Sequence, residues 1–304
     1  MIAIGAVDIG GTKIAVGAIR EDGMILKRSE CPTEPEKGFQ HAMKRIVAML
    51  RDISAGGTRL GGIGVGCPGP LNPFTGVIGE VGTLPGWRGG DVVTALQSEL
   101  DLPIAVENDA DAAALGEANW GDASPCGTFI YVTISTGIGG GILIDGKLYR
   151  GVDGSHPEFG HQILDHSGPR CYCGAQGCWE VLASGPAMVS WMVEQHPRAQ
   201  VATAADICEG ARRGDPLALR CVEREGSYLG LGLANLITLF APDRIALGGG
   251  VMKSNDLFMA NARRVIMDVC TQVPSEKTRI RLASLGTDAG LRGAAQAWLL
   301  RYRS

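Results

Sequence analysis

The sequence predicts an α/β protein built from two similar halves, on three observations. A strand, a glycine-threonine turn and a second strand open the chain as Ile2 to Ile9, Gly10-Gly11-Thr12 and Lys13 to Ile19. Strands and helical patterns then alternate through the first ~120 residues, as they do in α/β domains. After a further interval the opening unit recurs: Phe129 to Ile134 is apolar, Ser135-Thr136-Gly137 turns, and Gly139 to Ile144 is apolar again. A repeated supersecondary unit points to two similarly built halves, although glycine-rich hairpins are common enough that coincidence stays open.

Each element follows from local pattern. Asp22-Gly23 is a tight turn into a third strand, which completes a β-meander, and Asp145-Gly146 repeats that turn in the second half. From His41 to Ile53, residues Ala42, Ile46, Val47, Leu50 and Ile53 fall at helical spacing, and Leu60 to Gly66 returns as a strand. Asp91 to Leu100 reads as a helix, Pro103 to Val106 as a short strand, and Asp109 to Trp120 as an alanine-rich helix that begins at its own acidic cap. A loop from Gly121 to Gly127 follows. The remainder reads as a helix from Asp215 to Phe240 and a strand from Arg244 to Leu247 that ends at Gly248-Gly249-Gly250. A helix from Leu257 to Val273, a strand from Thr278 to Leu285 and a last helix from Ala289 to Tyr302 complete the chain.

Composition narrows the function. At 304 residues, with 45% hydrophobic and 20% charged residues, the chain has globular values that exclude collagen, coiled coil and disorder. The 45 glycines form short aperiodic clusters inside apolar segments, as turns carried on strands do. With 28 basic against 32 acidic residues, there is no electrostatic footprint for nucleic acid or an anionic membrane, which leaves a small-molecule partner. The uncharged stretch Ala123 to Ile144 is long enough to span a bilayer, but its five glycines and its hydroxyl residues make it strand, turn, strand. Met1 to Gly11 carries Asp8 in its apolar run and lacks the parts of a secretory signal, so a cytoplasmic location is expected. Nine cysteines, an odd number, then fit reduced thiols or a metal site better than disulfides.

Three places could carry chemistry. In the first turn Asp8 ends a strand while Thr12 and Lys13 lie just beyond the glycines, which offers a carboxylate for Mg²⁺, a hydroxyl and an ammonium for phosphates. The spacing is neither a Walker A loop nor a dinucleotide fingerprint. With the second turn and Gly248 to Gly250, it points to nucleotide phosphates. In Glu107-Asn108-Asp109 a strand gives way to a helix, so Asp109 is either an N-cap or a carboxylate at the sheet edge where ligands bind. Cys171, Cys173 and Cys178, with His161 ten residues before the first of them, suit a closed tetrahedral structural zinc site, whose ion would order Glu158 and Glu180.

Together these residues resemble the ROK family of bacterial sugar kinases and repressors, within the actin-like, hexokinase-type ATPase superfamily. The motifs fall in the family's order: Asp8 to Lys13, Gly66-Cys67-Pro68-Gly69-Pro70, Glu107-Asn108-Asp109, Ser135 to Gly141, Glu158-Phe159-Gly160-His161, Cys171 to Glu180 and Leu247 to Gly250. The resemblance implies a two-lobed actin-like (ribonuclease H-like duplicated) sugar kinase fold with an interlobe cleft. Residues 1–119 would form a smaller N-terminal lobe joined by the C-terminal helix 289–304, and residues 120–288 a larger one. It implies Asp109 as catalytic base, with Gly69, Asn108, Glu158, His161 and Glu180 holding the sugar, His161 sharing its other nitrogen with zinc. Gly10, Gly11, Thr12, Lys13, Thr136 and Gly137 would meet the ATP phosphates, Gly249 and Gly250 the adenosine, and Asp8 a water-bound Mg²⁺. It implies a homodimer and an ATP-dependent hexose kinase, glucose first, fructose or an N-acylhexosamine next. His156-Pro157 before Glu158 is closer to the family's fructokinases, whereas the full zinc loop is closer to its glucokinases and N-acylhexosamine kinases. Thr83 stands where asparagine is common. A sugar-binding sensor or a repressor is the non-enzymatic alternative; the repressors carry a helix-turn-helix before the first motif, which here begins at Asp8.

Overall fold

The computed structural model describes residues 2–55, 57–122, 126–197 and 201–303. Part of the sequence-predicted loop Gly121 to Gly127, namely residues 123–125, lies outside the described residues. Ten strands and nine helices are present among the described residues. In chain order they are β1 (Ile2–Ile9), β2 (Lys13–Ile19), β3 (Ile25–Pro32), α1 (Phe39–Ser54), β4 (Arg59–Cys67), α2 (Val92–Leu100), β5 (Ile104–Asn108) and α3 (Asp109–Trp120). The chain continues with β6 (Thr128–Ile134), β7 (Ile138–Ile144), β8 (Lys147–Leu148), α4 (Trp179–Ala183), α5 (Gly185–Gln195), α6 (Ala204–Arg212) and α7 (Pro216–Phe240). It ends with β9 (Arg244–Gly248), α8 (Met259–Val269), β10 (Arg279–Leu282) and α9 (Ala289–Tyr302).

The strands form two sheets, in the orders β3-β2-β1-β4-β5 and β10-β9-β6-β7-β8. Reversed, the second order becomes β8-β7-β6-β9-β10, so each half repeats the same topology. In the first sheet β1 pairs antiparallel with β2 and parallel with β4, and β4 pairs parallel with β5. In the second, β9 lies parallel to both β6 and β10. The recurring glycine-threonine turn of the sequence is thus a real duplication. The chain divides into two compact units. One holds Met1–Pro125, Gly141–Pro157 and Ala283–Ser304, and the other Cys126–Gly140 and Glu158–Leu282.

In the first unit, α1 buries Ala42, Met43, Ile46, Val47, Leu50 and Ile53, the helical stripe read from the sequence, against β-strand residues such as Val7, Val16 and Ile63. The opposite face of the sheet is covered by α9, through Leu291, Ala294, Ala295 and Trp298 on Ile4, Ala6 and Ala105. Here the backbones touch. A Cβ on Gly293 would overlap the Ala112 carbonyl of α3, and one on Gly64 of β4 would overlap the Ala294 carbonyl. In the second unit, α7 presents Leu229, Leu233, Leu236 and Ile237 to the core. It also carries Glu225, fully buried, where burial pushes the carboxyl well above its usual range.

Some boundaries differ from the sequence pattern. β5 runs on to Asn108, which brings Glu107 and Asn108 into the sheet. The helix expected from Leu257 to Val273 is confined to α8, because Val251–Leu257 is a 3-10 segment and Cys270 leaves helical geometry. α4, α5 and α6 have no counterpart in the sequence reading. Among the described residues, no helix is long and apolar enough to cross a membrane.

Gly293→Ala should lower the melting temperature by several degrees, since over-packing costs about 1–3 kcal/mol. Helix propensity alone would instead raise stability by up to about 1 kcal/mol. A thermal melt in which the variant is the more stable protein would contradict the backbone contact.

Candidate active site and metal centre

In the first unit the site begins at the C-terminal ends of three parallel strands. Asp8 on β1 pairs in register with Gly66 on β4, which pairs with Glu107 on β5, and Cys67 pairs with Asn108. Strand ends of this kind are where open α/β sheets bind ligands. Asp109 opens α3 immediately beyond. Gly66 lies between the two acids: a Cβ built there would stand 3.6 Å from the Asp109 Cα and 3.7 Å from Asp8 Oδ1. Burial and then the nearby Asp109 carboxylate push the Asp8 carboxyl up to about 7, against the pull of Lys13 and Arg28. Oxygen donors of this type suit a hard cation such as Mg²⁺. Gly290 of α9 closes the other side of Asp8, where a Cβ would come within 2.7 Å of Oδ2.

The sequence left Asp109 as either the cap of α3 or a carboxylate at the sheet edge. The structure gives the capping role to Asn108, whose Oδ1 accepts from the backbone N–H groups of Ala110 (2.8 Å) and Asp111 (3.2 Å). Both residue types cap helices equally well, so pattern alone could not choose between them. Asp109 is the first helical residue, partly exposed, and its Oδ1 accepts from Ala110 N at 2.8 Å. Gly69 faces Asn108, with 3.0 Å between a constructed Cβ and Nδ2.

The turn Gly10-Gly11-Thr12-Lys13 is closed by Gly10 N–H donating to the Lys13 carbonyl, 2.9 Å. Thr12 and Lys13 are exposed, and Lys13 Nζ lies 3.4 Å from Glu30 Oε2 on β3. Gly11 has a neighbour the sequence did not show: a Cβ there would approach the Thr83 Cβ to 2.9 Å. Close packing inside the protein therefore requires this glycine, whatever ligand the turn meets.

In the second unit, Thr133 of β6 pairs with Gly248 of β9, which sets Ser135-Thr136-Gly137 beside Gly249-Gly250. Gly249 has φ +93°, and a Cβ on it would overlap the Ile134 backbone. Glu180, on α4, reaches the same turn: Ile138 N donates to Glu180 Oε2 at 2.9 Å, and a Cβ on Gly137 would collide with that oxygen. Gly137 thus seats Glu180.

His161, Cys171, Cys173 and Cys178 converge, with all ligand atoms within 4.8 Å of one another. His161 Nδ1 is 3.6 Å from Cys171 Sγ, and Cys173 Sγ is 3.6 Å from Cys178 Sγ. Tetrahedral zinc with bonds of about 2.0–2.3 Å sets ligand atoms roughly 3.5–3.8 Å apart, so the residues fit the ion. Gly177 admits the fold of the loop, at φ +71° with its Cα against the Asp165 carbonyl. The outer nitrogen of His161, Nε2, lies 3.1 Å from the Tyr172 hydroxyl, a neighbour that the cysteine spacing did not reveal. Glu158 is exposed, at the start of the short turn that carries His161.

The fold and these strand-end turns define a class, a two-lobed α/β protein of the actin-like sugar kinase type, with two sheets of like topology. Residues 4–301 match the ROK family, and the chain belongs to it. A glucokinase of Halalkalibacterium halodurans is 32% identical over a 314-residue alignment, covering 98% of this chain and 94% of that protein. The ROK hexokinase from Thermus thermophilus superposes with a TM-score of 0.87 at 33% identity, over 99% of each chain. A ROK family glucokinase from Streptomyces griseus, solved in complex with glucose and AMPPNP, superposes with a TM-score of 0.80 at 33% identity, over 96% of this chain and 98% of that one.

Two outcomes are expected from this geometry. A carboxyl whose folded pKa is raised loses stability for the protein as pH climbs from its ordinary value through the raised one. Asp8→Asn should therefore melt at a higher temperature than the parent in metal-free buffer at pH 8, with the gap closing below about pH 4. A gap that does not vary with pH would contradict the assigned environment. Cys173→Ala should lose bound zinc and melt lower, because the free energy of metal binding is also folding free energy. Metal analysis that finds no zinc in the parent, purified under reducing and chelator-free conditions, would remove the metal centre.

Proposed function

We propose that the chain is an ATP-dependent hexose kinase that phosphorylates a sugar hydroxyl, the 6-hydroxyl of glucose in the first assignment, with Asp109 as general base. The observation that carries this reading is the pair Asp8, near the end of β1, and Asp109, just beyond the end of β5, with Gly66 of the intervening β4 leaving the space beside them free of side chain. Glucose is favoured because the similar Streptomyces griseus enzyme was solved with glucose and AMPPNP, and the similar Halalkalibacterium halodurans protein is a glucokinase. Fructose and the N-acylhexosamines are the alternatives.

In the proposed reaction the sugar oxygen attacks the γ-phosphorus, the bond from phosphorus to the β,γ-bridging oxygen breaks, and ADP leaves. Asp109 takes the hydroxyl proton. Phosphoryl transfer asks a protein mainly for positioning and charge compensation, and Mg-ATP brings both the transferred group and a cation for its oxygens. Asp8 would hold Mg²⁺ through water. Gly10, Gly11, Thr12, Lys13, Thr136, Gly137, Gly249 and Gly250 would meet the nucleotide. Gly69, Asn108, Glu158, His161 and Glu180 would hold the ring, with Glu180 offering Oε1 because Oε2 is bound to Ile138 N. Structural zinc on His161, Cys171, Cys173 and Cys178 would fix the stretch from Glu158 to Glu180. A cytoplasmic homodimer, with lobes at 1–119 plus 289–304 and at 120–288, completes the proposal.

Asp109→Asn tests it. Asparagine preserves shape and the bond from Ala110 N, and α3 keeps its cap on Asn108, so the fold should be unchanged. A general base contributes ~10² to 10⁴-fold, and turnover should fall by at least that order while sugar affinity changes little. ADP release on glucose, fructose and N-acetylhexosamines, calorimetry and a thermal melt read the three quantities. A folded variant that keeps more than about a tenth of the parent rate takes Asp109 out of the mechanism.

A further inference from the structure

Asn108 and Asp109 are bracketed by two further acids, Glu107 one residue before and Asp111 two residues after. Both are buried, Glu107 at 4% exposure and Asp111 at 0%. A buried carboxylate is costly without a basic neighbour, and each of these has one beside it. Arg150 donates to Glu107 through both terminal nitrogens, Nη1 to Oε1 at 2.6 Å and Nη2 to Oε2. His156 Nδ1 lies 2.9 Å from Asp111 Oδ2. Both partners belong to one stretch, 149–157, which follows β8 and lies in the same compact unit as β5 and α3. Gly141 on β7 closes the site over Asp111, leaving no room for a Cβ, which would stand 2.8 Å from Oδ1 and 2.6 Å from the Ala114 Cβ.

The two pairs act on the intervening residues through the backbone. The Asp111 N–H is one of the two that hold Asn108 Oδ1, and the Ala110 N–H between them binds both Asn108 Oδ1 and Asp109 Oδ1. Fixing residue 111 at one end and residue 107 at the other leaves the strand-to-helix junction a single path. We propose that Arg150 and His156 are positioning residues, which hold Asn108 and Asp109 in reactive geometry through Glu107 and Asp111 without touching substrate. The proposal rests on the kinase reading for its catalytic consequence, and on the geometry of these side-chain contacts alone for its structural one. Sub-ångström control of a base matters because misplacement by about 1 Å can cost up to 10²-fold in rate.

His156→Leu and Arg150→Met test this on the full chain, with His156→Asn as the conservative comparison for the first. At saturating sugar and ATP, kcat should fall about tenfold or more, while KM for ATP stays within about twofold, because the nucleotide turns are untouched. Amide exchange in the peptide spanning residues 106–115 should speed up at Ala110 and Asp111. His156→Asn, whose amide N–H can still reach Asp111, should recover most of both. Should Arg150→Met fail to fold, Glu107→Gln/Arg150→Met removes both charges and carries the same expectations. Folded variants that keep more than half the parent kcat overturn the proposal, as do slow variants with parental exchange at Ala110 and Asp111. A parent chain that phosphorylates no hexose would sink the kinase reading instead, and the exchange at those two amides would still decide whether Arg150 and His156 position the junction.

Discussion

The contact between α9 and the pair α3 and β4 is the constraint on which the first unit depends. Gly64, Gly116 and Gly293 let three backbones meet where any side chain would intrude on a carbonyl. Contacts this close bury peptide groups against peptide groups, and they leave α3 no freedom to slide along the sheet. Its N-terminus, with Asn108 and Asp109, is therefore placed by residues almost two hundred positions later in the chain. At the other end of α3, Glu117 accepts from the backbone N–H groups of Ser284 (3.1 Å) and Leu285 (2.7 Å), so the same approach to α9 is pinned twice. Gly290, one turn before Gly293, extends the seam to the Asp8 carboxylate.

Duplication explains why the candidate residues fall where they do. In each half, the glycine-threonine turn joins the first two strands, and the fourth strand of that half ends beside it, at Gly66 in one case and at Gly248 in the other. Small residues recur there for the same physical reason, because neighbouring parallel strands deliver their ends to one place and bulk would fill it. What differs is the cargo. The first half brings carboxylates, Asp8 and Asp109. The second brings backbone N–H groups and a Glu180 already tied to one of them.

Much of this was legible in the sequence, for reasons specific to each part. The opening meander and its repeat announced themselves because apolar runs broken by glycine leave few other conformations. The zinc-type ligands were legible because thiols two and five residues apart, in a glycine-bearing loop, have little else to hold them together. Helix α4 escaped because it is a single short turn, and α5 because it starts at Gly185-Pro186, which reads as a break although proline suits a first helical turn. The end of α8 was misplaced because Val269, Cys270 and Val273 continue the apolar spacing beyond the point where the backbone turns. The pairs Arg150 with Glu107 and His156 with Asp111 were out of reach altogether: each joins residues more than forty positions apart, and nothing local marks a carboxylate that will be buried.

The cap on α3 also sets a chemical polarity at the candidate site. With Asn108 Oδ1 held by two helix amides, its side-chain amide cannot rotate by half a turn without orphaning the Asp111 N–H and leaving the Ala110 N–H to Asp109 alone. What Asn108 shows its surroundings is its NH₂ alone. Any oxygen that meets it must lend a lone pair and direct its own proton elsewhere, and the neighbour on the chain is a carboxylate. A helix terminus has thus decided that this amide can meet only an acceptor, with an acid standing one residue further on.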